Sequence, residues 1–162
     1  MTQEELLRRI ERAREKVLMA IEGLTEEEMT QELVNREWTV KDILGHITSW
    51  VVEDRKIAER IAIEENPIFH YVISSENDWR DWNEQQVEKK RGYSLERIID
   101  ELREEHMKFK EFVHSLTQGQ LPRKGVCPWQ EESSVEKLIQ VTYEHDEEHA
   151  EKILAWRKKT KN

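Results

Sequence analysis

Residues 133–156 read SSVEKLIQVTYEHDEEHAEKILAW. Val135, Leu138, Ile139, Ile153 and Trp156 recur at helical spacing, and at about 100° per residue they form one apolar stripe. Ser133-x-x-Glu136 has the pattern of a capping box, in which a hydroxyl and an acid three residues later satisfy backbone N–H groups of the first turn. The stretch therefore predicts an amphipathic helix over about residues 134–158 with one buried face. His145 and His149 fall inside that stripe rather than opposite it. Residues four apart lie one above the other on a helix, so the two imidazoles can reach one point. Burying such a ring unpaired costs about 1–3 kcal/mol, so an inward-facing pair needs partners, and a metal ion is one.

Outward from this segment the same reading gives three more long helices. The first, over residues 3–22, follows Thr2-x-x-Glu5 and buries Leu6, Ile10, Ala13, Val17, Ile21 and Leu24, with Gly23 ending it. A short helical turn at 26–31 follows Thr25-x-x-Glu28. The second long helix, over 40–65, follows Thr39-x-x-Asp42, an acidic capping box in which Trp38 can staple against Ile43. Its stripe is Val40, Ile43, Leu44, Ile47, Val51, Ala58 and Ile61. Asn66-Pro67 breaks it, and a long connection, IFHYVISSENDWRDWNEQQ, follows; from about Asp78 this connection is able to start another helix. Ser94 caps the third long helix, over 95–116, which buries Leu95, Ile98, Ile99, Leu102, Phe109, Val113 and Leu116. Residues 118–132 hold Gly119, Pro122, Gly125 and Pro128 and read as a loop. Four amphipathic helices predict an all-α four-helix bundle, a single domain over residues 1–162 with a long connection between helices two and three.

Composition agrees with a bundle and narrows its roles. Charged residues make up 38% of the 162, and there are only five glycines and three prolines. The net charge of −9 argues against nucleic acid as the main partner, because neutralising phosphates needs a basic face. No apolar run approaches the roughly 20 residues of a membrane span, so no membrane partner is expected. MTQEELLRRI is not a signal sequence, and the one cysteine, Cys127, has no intrachain disulfide partner. A cytoplasmic setting is the expectation. A small bundle can also leave an apolar strip for a second copy to cover, which allows a homodimer.

Two imidazoles rarely hold a divalent ion firmly, and His46 is the best third ligand. It lies at the edge of the second helix's stripe, where it can face a neighbouring helix. Asp42, one turn earlier, is placed to accept the proton of the non-ligating ring nitrogen and fix the tautomer. Asp146, beside His145 near the inner stripe, is a candidate fourth ligand, base or second supporting acid, or else a partner for an arginine or lysine on a neighbouring helix. His106 reads as a core histidine bonded to a side chain or carbonyl, and His70 and His114 as surface residues. Trp38, Trp50 and Trp156 fall on core or seam positions. Trp50 borders the pocket that Trp79, Trp82 and Asn83 are expected to form over the metal, with Trp129 as a further wall. Cys127 has only Arg123 and Lys124 nearby in sequence to activate it and reads as structural.

The stretch Trp38-Thr-Val-Lys-Asp-Ile-Leu-Gly-His46, with His145-x-x-x-His149 on the last helix, resembles the DinB/YfiT-like superfamily of metalloenzymes over nearly the whole chain. Asp81-Trp82-Asn83-Glu84-Gln85, together with Thr142-Tyr143-Glu144-His145, Glu148-His149 and Ile153-x-x-Trp156, resembles its ClbS/DfsB-like branch. The resemblance implies a four-helix bundle holding one divalent transition metal, most often nickel or zinc, on His46, His145 and His149. It also implies a small-molecule substrate. Some relatives use a low-molecular-weight thiol such as bacillithiol or mycothiol, and another hydrolyses a reactive genotoxin. On chemical grounds, three neutral imidazoles with open positions make a catalytic rather than a structural layout. Such an ion activates bound water or a bound thiol. The expectation is a metal-dependent hydrolase or thiol S-transferase acting on a small electrophile, in a detoxifying role. The alternatives are a protein that sequesters a small molecule without turnover, and a bundle whose metal is purely structural.

Overall fold

A computed structural model describes residues 1–161. The long helices are α1 (Gln3–Ile21), α3 (Val40–Ile63), α5 (Leu95–Ser115) and α6 (Val135–Lys161). A short α2 (Glu26–Gln31) and a fifteen-residue α4 (Glu76–Lys90) lie between them. Two three-residue antiparallel strands, β1 (Lys124–Val126) and β2 (Glu132–Ser134), precede α6.

The starts of α1, α2 and α3 are set by the capping boxes visible in the sequence. Thr2, Thr25 and Thr39 each accept from the backbone N–H three residues on, and Glu5, Glu28 and Asp42 return the bond. The start of α6 differs. Ser134 belongs to β2 and pairs with Lys124, so the helix opens one residue later than expected, and the Ser134 hydroxyl accepts from Lys137 N at 3.0 Å. The first two helical N–H groups of α6, Val135 and Glu136, donate to the carbonyls of Arg123 and Leu121. The helix thus begins fastened to the hairpin.

Residues 118–132 are therefore more ordered than a plain loop: a 3₁₀ turn at Gln118–Gln120 leads into the hairpin. A Cβ added to Gly125 would stand 2.9 Å from Ile61 Cγ1, so β1 lies against α3 at a distance that only glycine allows. The long connection likewise contains a full helix, α4, which packs on α3. Its start is fixed by Ser75, whose hydroxyl accepts from Asp78 N.

In the bundle α1 packs chiefly on α6, and α3 on both α5 and α6. The shared core is formed by the predicted stripes, with Leu6, Ile43, Leu44, Ile98, Leu102 and Ile139 almost wholly buried. Helix C-termini are closed by polar side chains from other elements, which answer the last carbonyls. Gln3 Nε2 donates to Val113, His114 and Leu116 at the end of α5. Arg157 donates to Ala20 and Glu22 at the end of α1, and Arg123 to Ile61 and Glu64 at the end of α3. None of the described helices is long and apolar enough to cross a membrane.

Candidate metal centre

The packing of α3 against α6 brings three imidazoles together. His46 Nε2 lies 3.1 Å from His145 Nε2, and His149 Nε2 lies 2.9 Å from the same atom. Among the described residues this is the one group of potential metal ligands brought together in the fold, with donor atoms within 4.8 Å of one another. A tetrahedral ion with metal–nitrogen bonds of about 2.0–2.1 Å sets its donors about 3.3 Å apart, so the spacing suits one ion. The donor chemistry suits it too. A single proton can bridge two ring nitrogens, but three rings meeting at one place leave a lone pair that a metal cation can answer. Burial holds the rings neutral, as ligands must be. It pushes His46 down to about 2, His149 to about 3 and His145 to about 4, with neighbouring positive charge adding to the effect.

The acids expected to support the site are engaged elsewhere. Asp42 spends its carboxylate on the Thr39 backbone N–H, as the capping box demands. His46 Nδ1 is buried without a hydrogen-bond partner, and so is His149 Nδ1. Asp42 is thus a helix cap and not the orienting group for His46. Asp146 points to the other side of α6, where Arg14 Nε meets it at 2.9 Å in a pair whose side chains are only 6% and 5% exposed. One residue, about 100° of helical phase, separates it from His145. The ring of Trp38 packs on His46 instead, with centroids 4.7 Å apart. His106 bonds Glu11 at 2.8 Å, away from the centre.

Two cavities meet at the triad, and both are bordered by His46, His145 and Asn83. One, about 620 Å³, runs past Trp38, Trp156, Lys152 and Lys159. The other, about 540 Å³, is walled by Trp50, Trp79 and Trp129 and ends at Asp54 and Glu131. Trp50 and Asn83 are joined, the indole N–H donating to Asn83 Oδ1 at 2.8 Å. Trp82 is not a wall: it stacks behind Trp50 at 4.3 Å between centroids. Asp54, which the sequence reading passed over, is 5% exposed, and burial raises its carboxyl to about 7. The signal was available, since Asp54 follows His46 by eight residues and shares its helix face. Cys127 is buried and pushed up to about 12 by that burial, which makes it a poor nucleophile.

The model of the DinB superfamily matches residues 9–153. The chain belongs to the DinB superfamily. Solved structures agree on the DinB-like fold. YfiT from Bacillus subtilis, described as "a probable metal-dependent hydrolase with an unusual four-helix bundle topology", superposes with a TM-score of 0.77 at 17% identity, covering 98% of this chain and 87% of that one. An uncharacterised protein from Escherichia coli UTI89 gives 0.81 at 16%, covering 99% and 95%. The colibactin self-resistance protein ClbS, in complex with double-stranded DNA, gives 0.78 at 14%, covering 96% and 95%. That complex corrects the expectation, drawn from net charge, that nucleic acid is excluded as a partner: a DinB-like protein does bind duplex DNA. Overall charge is a poor guide because binding depends on local basic patches. A comparison with curated proteins finds no match.

Proposed function

We propose that this DinB-superfamily chain is a metal-dependent enzyme acting on a small electrophile, with His46, His145 and His149 holding one divalent ion. The observation that carries the reading is the convergence of three Nε2 atoms, from buried His46 and His149 and half-buried His145, at the junction of two cavities. YfiT's description as a metal-dependent hydrolase supports it. An all-imidazole donor set suits zinc, nickel, copper or iron, and zinc and nickel are the ions that the family resemblance favours. A bound ion supplies a Lewis acid that turns water or a thiol into a nucleophile near neutral pH.

The chain's own residues supply the rest. The tryptophan walls exclude water and present flat apolar surface to a substrate. Asn83 keeps its oxygen on Trp50, leaving its amide N–H groups free to donate toward either cavity. Lys152 and Lys159 place positive charge along the other cavity, which suits an anionic nucleophile carrier such as a carboxylate-bearing thiol. A reducing cytoplasm, where such thiols are abundant, fits this use.

The test is turnover. Metal-stripped protein reloaded with zinc or nickel is incubated with a panel of epoxides and strained-ring or conjugated electrophiles, with and without a small thiol, and products are read by mass spectrometry. Metal-dependent hydrolysis or adduct formation that disappears in His149→Ala is expected. Turnover that persists in His46→Ala, or none across the panel with the metal in place, contradicts the proposal.

A further inference from the structure

The cavity on the tryptophan side has a chemistry of its own. Trp50, Trp79 and Trp129 face one another with centroids 5.3, 5.5 and 6.5 Å apart and interplanar angles of 39°, 40° and 65°. All three are only half-buried, and all three line the cavity. Among the residues lining this cavity there is no lysine or arginine, and its two carboxylic acids are Asp54 and Glu131. Glu131 is exposed and Asp54 is buried.

Asp54 has no basic partner. Its one hydrogen bond among the described residues joins Oδ2 to Thr142 Oγ1 at 3.0 Å. The Thr142 hydroxyl also lies 2.7 Å from Leu138 O. A hydroxyl has one proton to give. If it goes to Leu138, the proton between Thr142 and Asp54 comes from the acid. The other ionisable groups around Asp54 are Glu53 on its own helix, Tyr71 in the connection and Cys127 in the hairpin, and each is acidic or neutral. A buried acid with no cation nearby, bordering a space walled by indole faces, is a half-made ion pair. Indole faces attract cations, and most strongly where water is excluded.

We infer that the Trp50–Trp79–Trp129 cavity recognises an organic cation, an amine or quaternary ammonium on an apolar body, with Asp54 as its counter-ion. This inference rests on the proposed function, since it names the substrate class for the same site. Asp54 lies eight residues from His46, about 12 Å along the helix at 1.5 Å per residue. A substrate whose cationic group sits at Asp54 keeps that charge away from the ion and leaves its other end at the triad.

The experiment titrates benzyltrimethylammonium, its neutral isostere neopentylbenzene and the anion phenylacetate into the full chain at pH 8, following tryptophan fluorescence and calorimetry. It is run with metal-free and zinc-loaded protein, and zinc content is measured separately. The cation is expected to bind at least ten-fold more tightly than the neutral isostere, with phenylacetate weakest. Asp54→Asn should cut the preference for the cation to three-fold or less without changing zinc content, and Trp79→Leu should weaken cation and isostere together. Equal binding of cation and isostere, no binding of the cation at millimolar concentration, or an undiminished preference in Asp54→Asn, whether or not Glu131→Gln diminishes it, would overturn the assignment. Loss of zinc binding alone would strike the metal reading and leave the cation preference as its own result.

Discussion

At the scale of single residues, the histidines were legible because they are polar groups at apolar phase. The same rule identifies Asp54, but an acid in a helix rich in acids draws less notice than one of six histidines. Asp42 was misread for a different reason. Its carboxylate had two candidate uses, capping α3 or orienting the His46 ring, and the nearer backbone N–H took it. Asp54 gives a prediction whose sign follows from linkage. Its ordinary value of 3.8 is raised to about 7 in the folded chain. Below 3.8 both states hold the proton and nothing is lost; as pH rises from there through 7 the unfolded state ionises more readily, and stability falls. Replacing Asp54 by asparagine should therefore stabilise the metal-free protein at pH 8, by about 4 kcal/mol at most, and change little at pH 4. Urea unfolding at the two pH values reads this directly. An equal effect at both would mean that folding does not raise the Asp54 carboxyl above its ordinary value.

At the scale of elements, the long helices were readable from their stripes and caps, and their ends moved by a few residues. What the sequence hid was structure held by contacts distant in the chain. Strand β2 displaces the start of α6, because Ser134 pairs with Lys124 across the hairpin. Ser134→Ala should then cost about 1 kcal/mol of stability, the usual worth of an N-cap, while Ser133→Ala stays within about 0.5 kcal/mol. Thermal or urea denaturation of the two variants decides between the caps. α4 was only half visible, since one side of it is polar and its apolar contribution is concentrated in tryptophans that meet Trp50 of α3. The Arg14–Asp146 pair ties α1 to α6, and Arg14 Nη1 also donates to Leu102 O of α5. Arg14→Met leaves a buried acid alone and should cost about 3–5 kcal/mol. The double change Arg14→Met with Asp146→Leu should recover most of that in urea unfolding; no recovery would mean that the arginine acts through packing rather than charge.

At the scale of the whole molecule, the family motif and the bundle were both present in the sequence, but the two cavities were not, because they arise where α3, α4, α6 and the hairpin meet. One of the triad's ligands comes from α3 and two from α6, so an ion joins helices that are nearly a hundred residues apart in sequence. Ion binding should stabilise the fold, by about 2.7 kcal/mol at a hundred-fold excess over the dissociation constant. The gain should persist through the ordinary histidine range and fade only as pH nears about 4, where the first of the buried rings takes up a proton in competition with the ion. A melting temperature unmoved by zinc or nickel at pH 7.5 would speak against a site between the helices. The most direct test is elemental analysis after incubation with zinc or nickel and gel filtration, on the wild-type chain and on His46→Ala. The convergence of His46, His145 and His149 predicts close to one ion per chain in the wild type and a large loss in the variant whose helices stay folded. A wild-type chain that emerges without metal, or a His46→Ala variant that keeps a full complement, would contradict it.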